Sequence, residues 1–279
     1  MPEGDSIFQA AAKLHAALAG QRIVRFFSPL PDLKEAELAG REVTRVYARG
    51  KNLIISLDDG RALHTHLRMQ GRWRVRQKSA MSEEQRAHLE RAPHSLNPVL
   101  TLSIETESCI AVCEQAAIAH LVTEREVERR MASLGPDLLA VDFDPKLARD
   151  NLRRRPELPI GEAIMLQSML AGIGNVYKSE VLFLERVSPF VTVAELDDAK
   201  LDAIIARSKE LLRRNRKGPR RTTFGTLSRM PYYVYERSGE LCLKCGERIQ
   251  MRRQGSLQRS TYYCPECQGV GTRTFGESR

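Results

Sequence analysis

Four cysteines near the C-terminus form two pairs that could bind a metal ion. Cys242 pairs with Cys245 and Cys264 with Cys267, and 18 residues separate the pairs. A tight turn brings the thiolates of each pair together, and a hairpin between the pairs would complete a tetrahedron. Disulfides or chance are the alternatives, but we expect no secretory signal, and the tail has too little apolar material for its own core. The spacing predicts one structural Zn²⁺ ion.

Pro2 is a second candidate for chemistry, because removal of Met1 would leave its secondary amine at the chain terminus. An α-amino group titrates near pH about 7.7–8.0, so part of it is neutral and nucleophilic at neutral pH. Glu3 lies beside it and could carry protons. The alternative is that both residues only precede a helix, where proline and acidic residues are common. Taken alone, these residues favour that alternative.

Basic residues are concentrated in two stretches of the 279-residue chain, whose net charge is +9. Nine lysines and arginines stand against two acids between Arg45 and Lys78, and ten against two between Arg207 and Arg237. A single run is usually a solvated face, but two separated runs favour a nucleic acid as partner. A generally basic surface is the alternative.

Composition and length are those of a globular protein with about two domains. Hydrophobic residues make up 42% and charged residues 28% of the chain, which excludes extensive disorder. No apolar run reaches the roughly 18 residues of a spanning helix, and the first residues lack the pattern of a signal peptide. We expect a soluble, intracellular protein.

The first half of the sequence predicts one helix followed by a β-sandwich. Asp5 or Ser6 is expected to cap the helix, which stops at Gly20. Further on, short β-like runs alternate with turn signals, and Cys109 and Cys113 lie in an apolar stretch as expected buried thiols. The clearest runs are residues 23–26, 43–47, 52–57, 73–75 and 99–104.

The second half predicts helices and then the cysteine-rich tail. Residues 124–139 are charged and end in Gly-Pro-Asp, which is typical of a connection between domains. The fold class is therefore α+β, with domains predicted at residues 1–124, 125–236 and 237–279. Helices are expected from residue 144 and over residues 161–170, 175–186 and 195–214.

Four motifs occur in the order that is typical of one enzyme family: MPEG (1–4), HTHLRM (64–69), GIGNVYKSE (172–180) and RSTYYCP (259–265). The chain resembles the Fpg/Nei DNA glycosylases in these motifs and over nearly its whole length. At Gly4-Asp5 it is more similar to the endonuclease VIII (Nei) branch. The resemblance implies a β-sandwich domain, a helix–two-turn–helix domain and a zinc hairpin, in a monomer of the bacterial cytoplasm and nucleoid. Its partner would be double-stranded DNA with damaged bases or abasic sites, held in a cleft.

The resemblance also implies a mechanism in which the N-terminal proline is the nucleophile. Pro2 would attack the sugar C1′ atom, expel the base and leave an iminium that promotes β,δ-elimination of the neighbouring phosphates. Glu3 would be the acid/base. Lys51 matches the family's lysine that reaches the phosphates or the leaving group near the lesion, whereas an ordinary surface lysine would have no such role.

Three further residues match the family's phosphate contacts. His66 would contact a phosphate, although a core histidine is the alternative. Asn175 begins a helix whose N-terminus attracts phosphate, and it could equally be a routine helix cap. Arg259 lies five residues before Cys264, where the hairpin could aim its guanidinium at a phosphate.

Arg68, Met69 and Gln70 match the family's wedge, which fills the gap left by a flipped base. Burial of Met69 in the core is the alternative. The sequence departs from the family at Ser6, where many relatives have Glu, so no second carboxylate contact is expected there. The segment from Arg221 to Cys242 is short, which favours oxidised pyrimidines over 8-oxoguanine. A non-catalytic protein that binds damaged DNA is the alternative from another functional class.

Overall fold

The chain forms two compact units, residues 1–133 and residues 134–279, and each has its own hydrophobic core. The computed structural model describes residues 2–82, 84, 99–218, 221–224 and 230–269. Within these residues no helix is long and apolar enough to cross a membrane. The three-domain division made from the sequence stays a prediction.

The first unit is a sandwich of two antiparallel four-stranded sheets. Its strands are β1 (Arg25–Phe27), β2 (Val43–Arg49), β3 (Asn52–Leu57), β4 (Arg61–His66), β5 (Arg72–Gln77), β6 (Leu100–Glu105), β7 (Cys109–Glu114) and β8 (Ile118–Thr123). One sheet has the strand order β1-β6-β7-β5 and the other β2-β3-β4-β8. Branched and leucine side chains of both sheets are fully buried between them, among them Leu53, Ile55, Leu63, Leu102 and Ile104. The predicted sandwich is confirmed.

Helix α1 (Gly4–Leu18) buries one apolar face, as its sequence period predicts. The helix also makes a polar contact with the sandwich: the backbone N–H of Val46 donates to Nδ1 of His15 at 3.2 Å. The predicted cap is wrong: the N-cap residue is Glu3, and Ser6 completes a capping box with it. Gly20 follows the helix with a φ of +76°, which glycine adopts without strain.

The described residues of the first unit also form the short helices α2 (Pro31–Lys34) and α3 (Glu124–Met131). The hydroxyl of Thr123 accepts the backbone N–H of Glu126 and caps α3. Val127 and Met131, one turn apart, are buried. The charged stretch that the sequence marked as a connection therefore begins with a helix, because these two side chains pack on the sandwich.

Helices dominate the second unit. They are α4 (Pro145–Arg153), α5 (Ile160–Ala163), α6 (Asn175–Leu184) and α7 (Asp198–Asn215). As predicted, Asp144 starts α4, and its carboxylate accepts the N–H groups of Lys146 and Leu147. Asp197 caps α7, which begins three residues later than predicted because Val193–Glu195 forms a separate 3₁₀ turn.

The prediction of a helix over residues 161–170 is wrong, because α5 ends at Ala163. Gln167 holds the following residues in turns instead. Its side-chain amide donates to the carbonyl oxygens of Met165 and Ile173, and its Oε1 atom accepts the backbone N–H of Gly172. These side-chain bonds replace the helical ladder and bring the chain to the start of α6.

The C-terminal part of the second unit is a hairpin of β9 (Gln250–Gln254) and β10 (Arg259–Tyr263). It shares a small core with α6, made of Phe183, Val234, Cys242, Ile249 and Cys264. The described part of the tail thus obtains apolar burial by packing against a helix.

Candidate functional site

The four cysteines of the tail converge, and their Sγ atoms all lie within 4.8 Å of one another. The Sγ atoms of Cys242 and Cys267 are 3.8 Å apart, and those of Cys245 and Cys264 are 3.4 Å apart. Zn–S bonds of about 2.3 Å in a tetrahedron place sulfur atoms about 3.8 Å apart. A disulfide needs about 2.05 Å. The geometry therefore fits a structural zinc ion with four thiolate ligands and no open position.

Hydrogen bonds to sulfur and to the backbone orient this cluster. The N–H of Lys244 donates to Sγ of Cys242 at 3.4 Å, and the N–H of Cys267 donates to Sγ of Cys264 at 3.5 Å. Gln268 accepts the N–H of Cys264 and donates to the carbonyl of Val187. Such second contacts fix the ligand directions and favour the deprotonated thiols that zinc requires.

A buried lysine connects helix α6 to the hairpin. Lys178 is 1% exposed, and its Nζ atom donates to Oγ1 of Thr261 at 2.7 Å and to the carbonyl oxygen of Ser260 at 3.0 Å. The hydroxyl of Thr261 donates to Oε1 of Gln254, on the opposite strand, at 2.9 Å. Strand β10 is therefore held by its partner strand and by α6.

Arg259 is the first residue of β10 and pairs with Gln254 across the hairpin. It is half-buried. The turn before it contains Gly255 and Gln258, both with positive φ. The cysteine cluster and Lys178 hold the strand that begins here, so the guanidinium projects from a rigid base.

Asn175 occupies the first turn of α6, but it is not a helix cap. The N-cap residue is Gly174, and no side chain caps this helix. Asn175 is 7% exposed, and its Oδ1 atom is buried without a hydrogen-bond partner among the described residues. A buried polar atom without a partner is costly, and Oδ1 can only accept from a donor. The amide group that can contact a phosphate oxygen at this helix end, which attracts anions, is the Nδ2 donor. The cap interpretation is wrong.

Glu180 has a structural role that sequence reasoning missed. Its carboxylate is fully buried and accepts the backbone N–H groups of Tyr233, Val234 and Tyr235 at 2.8–2.9 Å, and the hydroxyl of Thr223. Burial raises the pKa of Glu180, whereas these hydrogen bonds act in the opposite direction. One side chain of α6 thus binds two parts of the segment between α7 and the zinc hairpin, Thr223 and residues 233–235.

In the first unit, Pro2 stands immediately before the N-cap of α1. Pro2 is half-buried, and Glu3 is 0% exposed. Ser6 accepts the backbone N–H of Glu3 at 2.9 Å and donates to its carbonyl at 3.0 Å. Met1 lies outside the described residues. If Met1 is removed, the secondary amine of Pro2 would lie next to Glu3 in the chain. The side chain of Glu3 is buried, and its backbone is held by Ser6.

Lys51 lies in the tight turn between β2 and β3, beside Gly50 with a φ of +58°. Asn52 closes this turn, since its Nδ2 atom donates to the carbonyl of Arg49 at 3.1 Å. Its Oδ1 atom lies 2.9 Å from Nε2 of buried His64. Because the amide nitrogen is engaged, the oxygen faces the histidine, and the imidazole carries its proton on Nε2.

His66 is half-buried at the end of β4 and is no core histidine. Burial lowers its pKa, and the positive charges of Lys51 and Arg68 lower it further. Its Nδ1 atom accepts the backbone N–H of Arg68 at 3.1 Å, so a neutral ring keeps its proton on Nε2. That N–H can donate to an anionic oxygen.

The three residues matched to the wedge form an exposed turn after β4. Arg68 has a φ of +47°, which is uncommon for a residue with a side chain. Met69 is 56% exposed, and Gln70 is exposed as well. Burial of Met69 in the core, the alternative interpretation, is therefore wrong.

The structure brings some of the proposed site residues together within each unit. In the first unit, Lys51 and Arg68 lie close enough to His66 for their charges to lower its pKa. In the second unit, Asn175 and Arg259 lie on two elements joined by Lys178. Sequence reasoning quoted Lys178 and Glu180 in a motif without a role; the only signal was that they are the two charged residues of α6. Cys109 and Cys113 are buried free thiols, as expected.

Three family models match the chain in succession. Residues 1–129 match the Formamidopyrimidine-DNA glycosylase N-terminal domain, and residues 134–223 match the Formamidopyrimidine-DNA glycosylase H2TH domain. Residues 239–270 match the zinc finger found in FPG and IleRS. All four cysteines of the cluster lie in the last match.

The chain is also similar to whole proteins. It is 40% identical to Probable endonuclease 8 2 of Streptomyces coelicolor, over 100% of this chain and 98% of that protein. It is 36% identical to DNA-(apurinic or apyrimidinic site) lyase Nei2 of Mycolicibacterium smegmatis, over 96% of this chain and 99% of that protein. Among solved structures, Lactococcus lactis Fpg bound to DNA with an AP site has a TM-score of 0.76 and 25% identity, over 96% of this chain and 99% of that chain.

Proposed function

The chain belongs to the Fpg/Nei family of DNA glycosylases, and from this membership we propose that it is a bifunctional enzyme of base excision repair. It removes a damaged base from DNA and then cleaves the strand at the abasic site. The observation that carries the mechanism is the position of Pro2, directly before a buried Glu3 that begins helix α1.

The reaction begins with the free Pro2 amine. Its nitrogen bonds to C1′ as the glycosidic bond breaks, and the electron pair of that bond leaves with the base, which takes up a proton. Glu3 moves protons during ring opening and base loss. The nitrogen then loses its proton and the C1′–O4′ bond breaks, so that O4′ takes up a proton and a cationic iminium forms. The iminium accepts electrons as C2′ loses a proton and the 3′ phosphate departs; a second elimination releases the 5′ phosphate.

Residues of both units bind the DNA. Lys51 and the Nε2–H of His66 contact phosphates near the lesion, and Asn175 and Arg259 bind the backbone from α6 and the hairpin. Arg68, Met69 and Gln70 fill the space of the flipped nucleotide, for which their exposure on a turn suits them. A zinc ion held by Cys242, Cys245, Cys264 and Cys267 would have no open position for catalysis, and it would support the hairpin that carries Arg259.

Oxidised pyrimidines are the substrates that we favour. The segment from Arg221 to Cys242 is short, and several relatives carry the name endonuclease 8. Activity on 8-oxoguanine is the second candidate, because a Chloroflexus aurantiacus relative with 30% identity is named Formamidopyrimidine-DNA glycosylase. Excision rates on matched duplexes with either lesion distinguish the two. We further infer a monomer that works in the bacterial cytoplasm and nucleoid.

Borohydride trapping tests the catalytic assignment against a non-catalytic DNA-binding protein. The matched pair is one protein that begins at Pro2 and one that keeps a short extension before Pro2, which turns the proline nitrogen into an amide. We expect a covalent complex with abasic DNA only for the first, while both bind DNA. An intact-protein mass verifies the terminus, and peptide mapping locates the linked residue. Equal trapping would assign the chemistry to Lys51 or another amine, and no trapping would favour the binding protein.

A further inference from the structure

A groove of about 640 Å³ lies in the first unit between helix α1 and strand β5. Apolar side chains form its floor, and three of them are Leu14, Trp73 and Val75. The residues assigned to base excision do not line it. The groove therefore calls for a separate explanation.

One side of the groove is the edge of a sheet. Among the described strands, β5 pairs only with β7. The N–H of Lys78 donates to the carbonyl of Ser108 across that pair. Because hydrogen-bonding direction alternates along an antiparallel strand, the backbone groups of Trp73, Val75 and Gln77 point away from β7. An edge of this kind is a template for a further strand.

The rim of the groove is basic. Lys13 on α1 and Arg74 and Arg76 on β5 line it, and all three are exposed. Arg74 lies 3.7 Å from Glu114, whereas Lys13 and Arg76 form no ion pair with any residue that the structure describes. On β5 the arginines alternate with Trp73 and Val75, so charged and apolar side chains face opposite sides of the strand.

We propose that this groove binds an extended acidic segment of a partner protein, which pairs with the edge of β5. The segment alternates acidic and apolar side chains: its acids meet Lys13, Arg74 and Arg76, and its apolar residues cover Trp73 and Val75. Duplex DNA has the complementary charge but offers neither peptide groups for the edge nor apolar side chains for the floor. The groove is thus a protein-docking site that brings the enzyme to a partner.

Trp73 allows a direct test, because it is the single tryptophan of the chain. The probe is a synthetic peptide that alternates aspartate and valine, titrated while tryptophan emission is recorded. We expect a saturable shift in emission, and none with the peptide in which lysine replaces aspartate. A third peptide, N-methylated at alternate peptide bonds, should not bind, because it cannot pair with the strand.

Charge-reversal variants locate the site. Lys13→Glu with Arg76→Glu should weaken peptide binding by roughly tenfold or more, since two attractions become repulsions. Lys34→Glu with Arg125→Glu is the matched control, because both residues are exposed in the same unit and the net charge changes equally. Cleavage of abasic DNA should be unchanged in both double variants.

Several results would overturn the proposal. These are an unchanged Trp73 emission, an equal response to the lysine peptide, and equal weakening by the control pair. Binding of the N-methylated peptide would overturn strand pairing. Displacement of the peptide by duplex DNA, with reduced DNA affinity in the Lys13/Arg76 double variant, would show that the groove belongs to the DNA-binding surface instead.

Discussion

The Nζ atom of Lys178 lies 2.7 Å from Oγ1 of Thr261, although the two residues are 83 positions apart in the chain. The lysine belongs to α6, the helix that begins at Asn175, and the threonine belongs to β10, the strand that begins at Arg259. Two proposed phosphate contacts are therefore positioned by one buried polar interaction. The helix and the zinc hairpin act as a single support.

Replacement of Lys178 by methionine should destabilise the zinc-loaded protein by about 1–3 kcal/mol, because buried oxygen atoms of Ser260 and Thr261 lose their donor. DNA affinity should fall with it. Denaturant unfolding and a binding titration measure the two effects. The control is Lys146→Met, whose exposed ion pair with Asp150 should be worth no more than about 1 kcal/mol. Equal stability of the two variants would contradict the supporting role.

The Cys264→Ser variant should lose zinc and DNA affinity together, because metal binding stabilises the hairpin that carries Arg259. Metal analysis of the purified protein and a binding titration measure both. Cys109→Ala is the control, since that thiol lies in the sandwich core outside the cluster. Full zinc content in Cys264→Ser would rule out the four-ligand assignment.

Arg259→Ala and Asn175→Ala should both weaken DNA binding, but with different salt dependence. Loss of the Arg259 charge should reduce the slope of log K against log salt by about 0.9, since one counterion fewer is released. Loss of the neutral Asn175 amide should leave the slope unchanged. Titrations at several salt concentrations decide the matter, and an unaltered slope for Arg259→Ala would mean that its guanidinium does not touch a phosphate.

His64 should make the protein less stable in mild acid. Burial, together with the charges of Arg130, His66 and His120, lowers the pKa of His64 from 6.5 to about 4. Between these values the unfolded chain binds a proton that the folded protein does not, so the free energy of unfolding falls as pH falls from 6.5 towards 4.

The His64→Gln variant keeps a donor for Asn52 but cannot titrate in this range. Its free energy of unfolding should fall less steeply over the same pH interval. Unfolding curves for both proteins across that interval measure the difference. Parallel pH dependence would show that His64 is protonated in the folded state as readily as in the unfolded chain.

Glu3→Gln should separate the two chemical steps of the proposed mechanism. The substitution keeps size and hydrogen bonding but removes proton exchange. Base excision should fall by at least about 100-fold, because it needs a general acid, whereas cleavage at a preformed abasic site should keep a good part of its rate. Duplexes with an oxidised pyrimidine or an abasic site supply both measurements. A normal excision rate would reduce Glu3 to a helix cap.

Local patterns sufficed for several features of this protein. The spacing of the four cysteines predicted the metal cluster, the apolar period predicted helix α1, and the run of residues 52–57 predicted strand β3 at its observed limits. Each depends on contacts between residues that are close in sequence or on a repeat with a fixed period. Such information can be read from the short stretch of sequence that forms each feature.

Other features depended on the tertiary structure. Met69 is exposed, the Oδ1 atom of Asn175 has no partner among the described residues, and helix α5 ends at Ala163 because Gln167 binds the backbone around it. The partner of Lys178 comes from a strand far along the chain. The sequence by itself determined which residues could bind zinc or react. The fold decided which of them are buried, paired or open to a ligand, because burial and long-range hydrogen bonds depend on distant segments packing together.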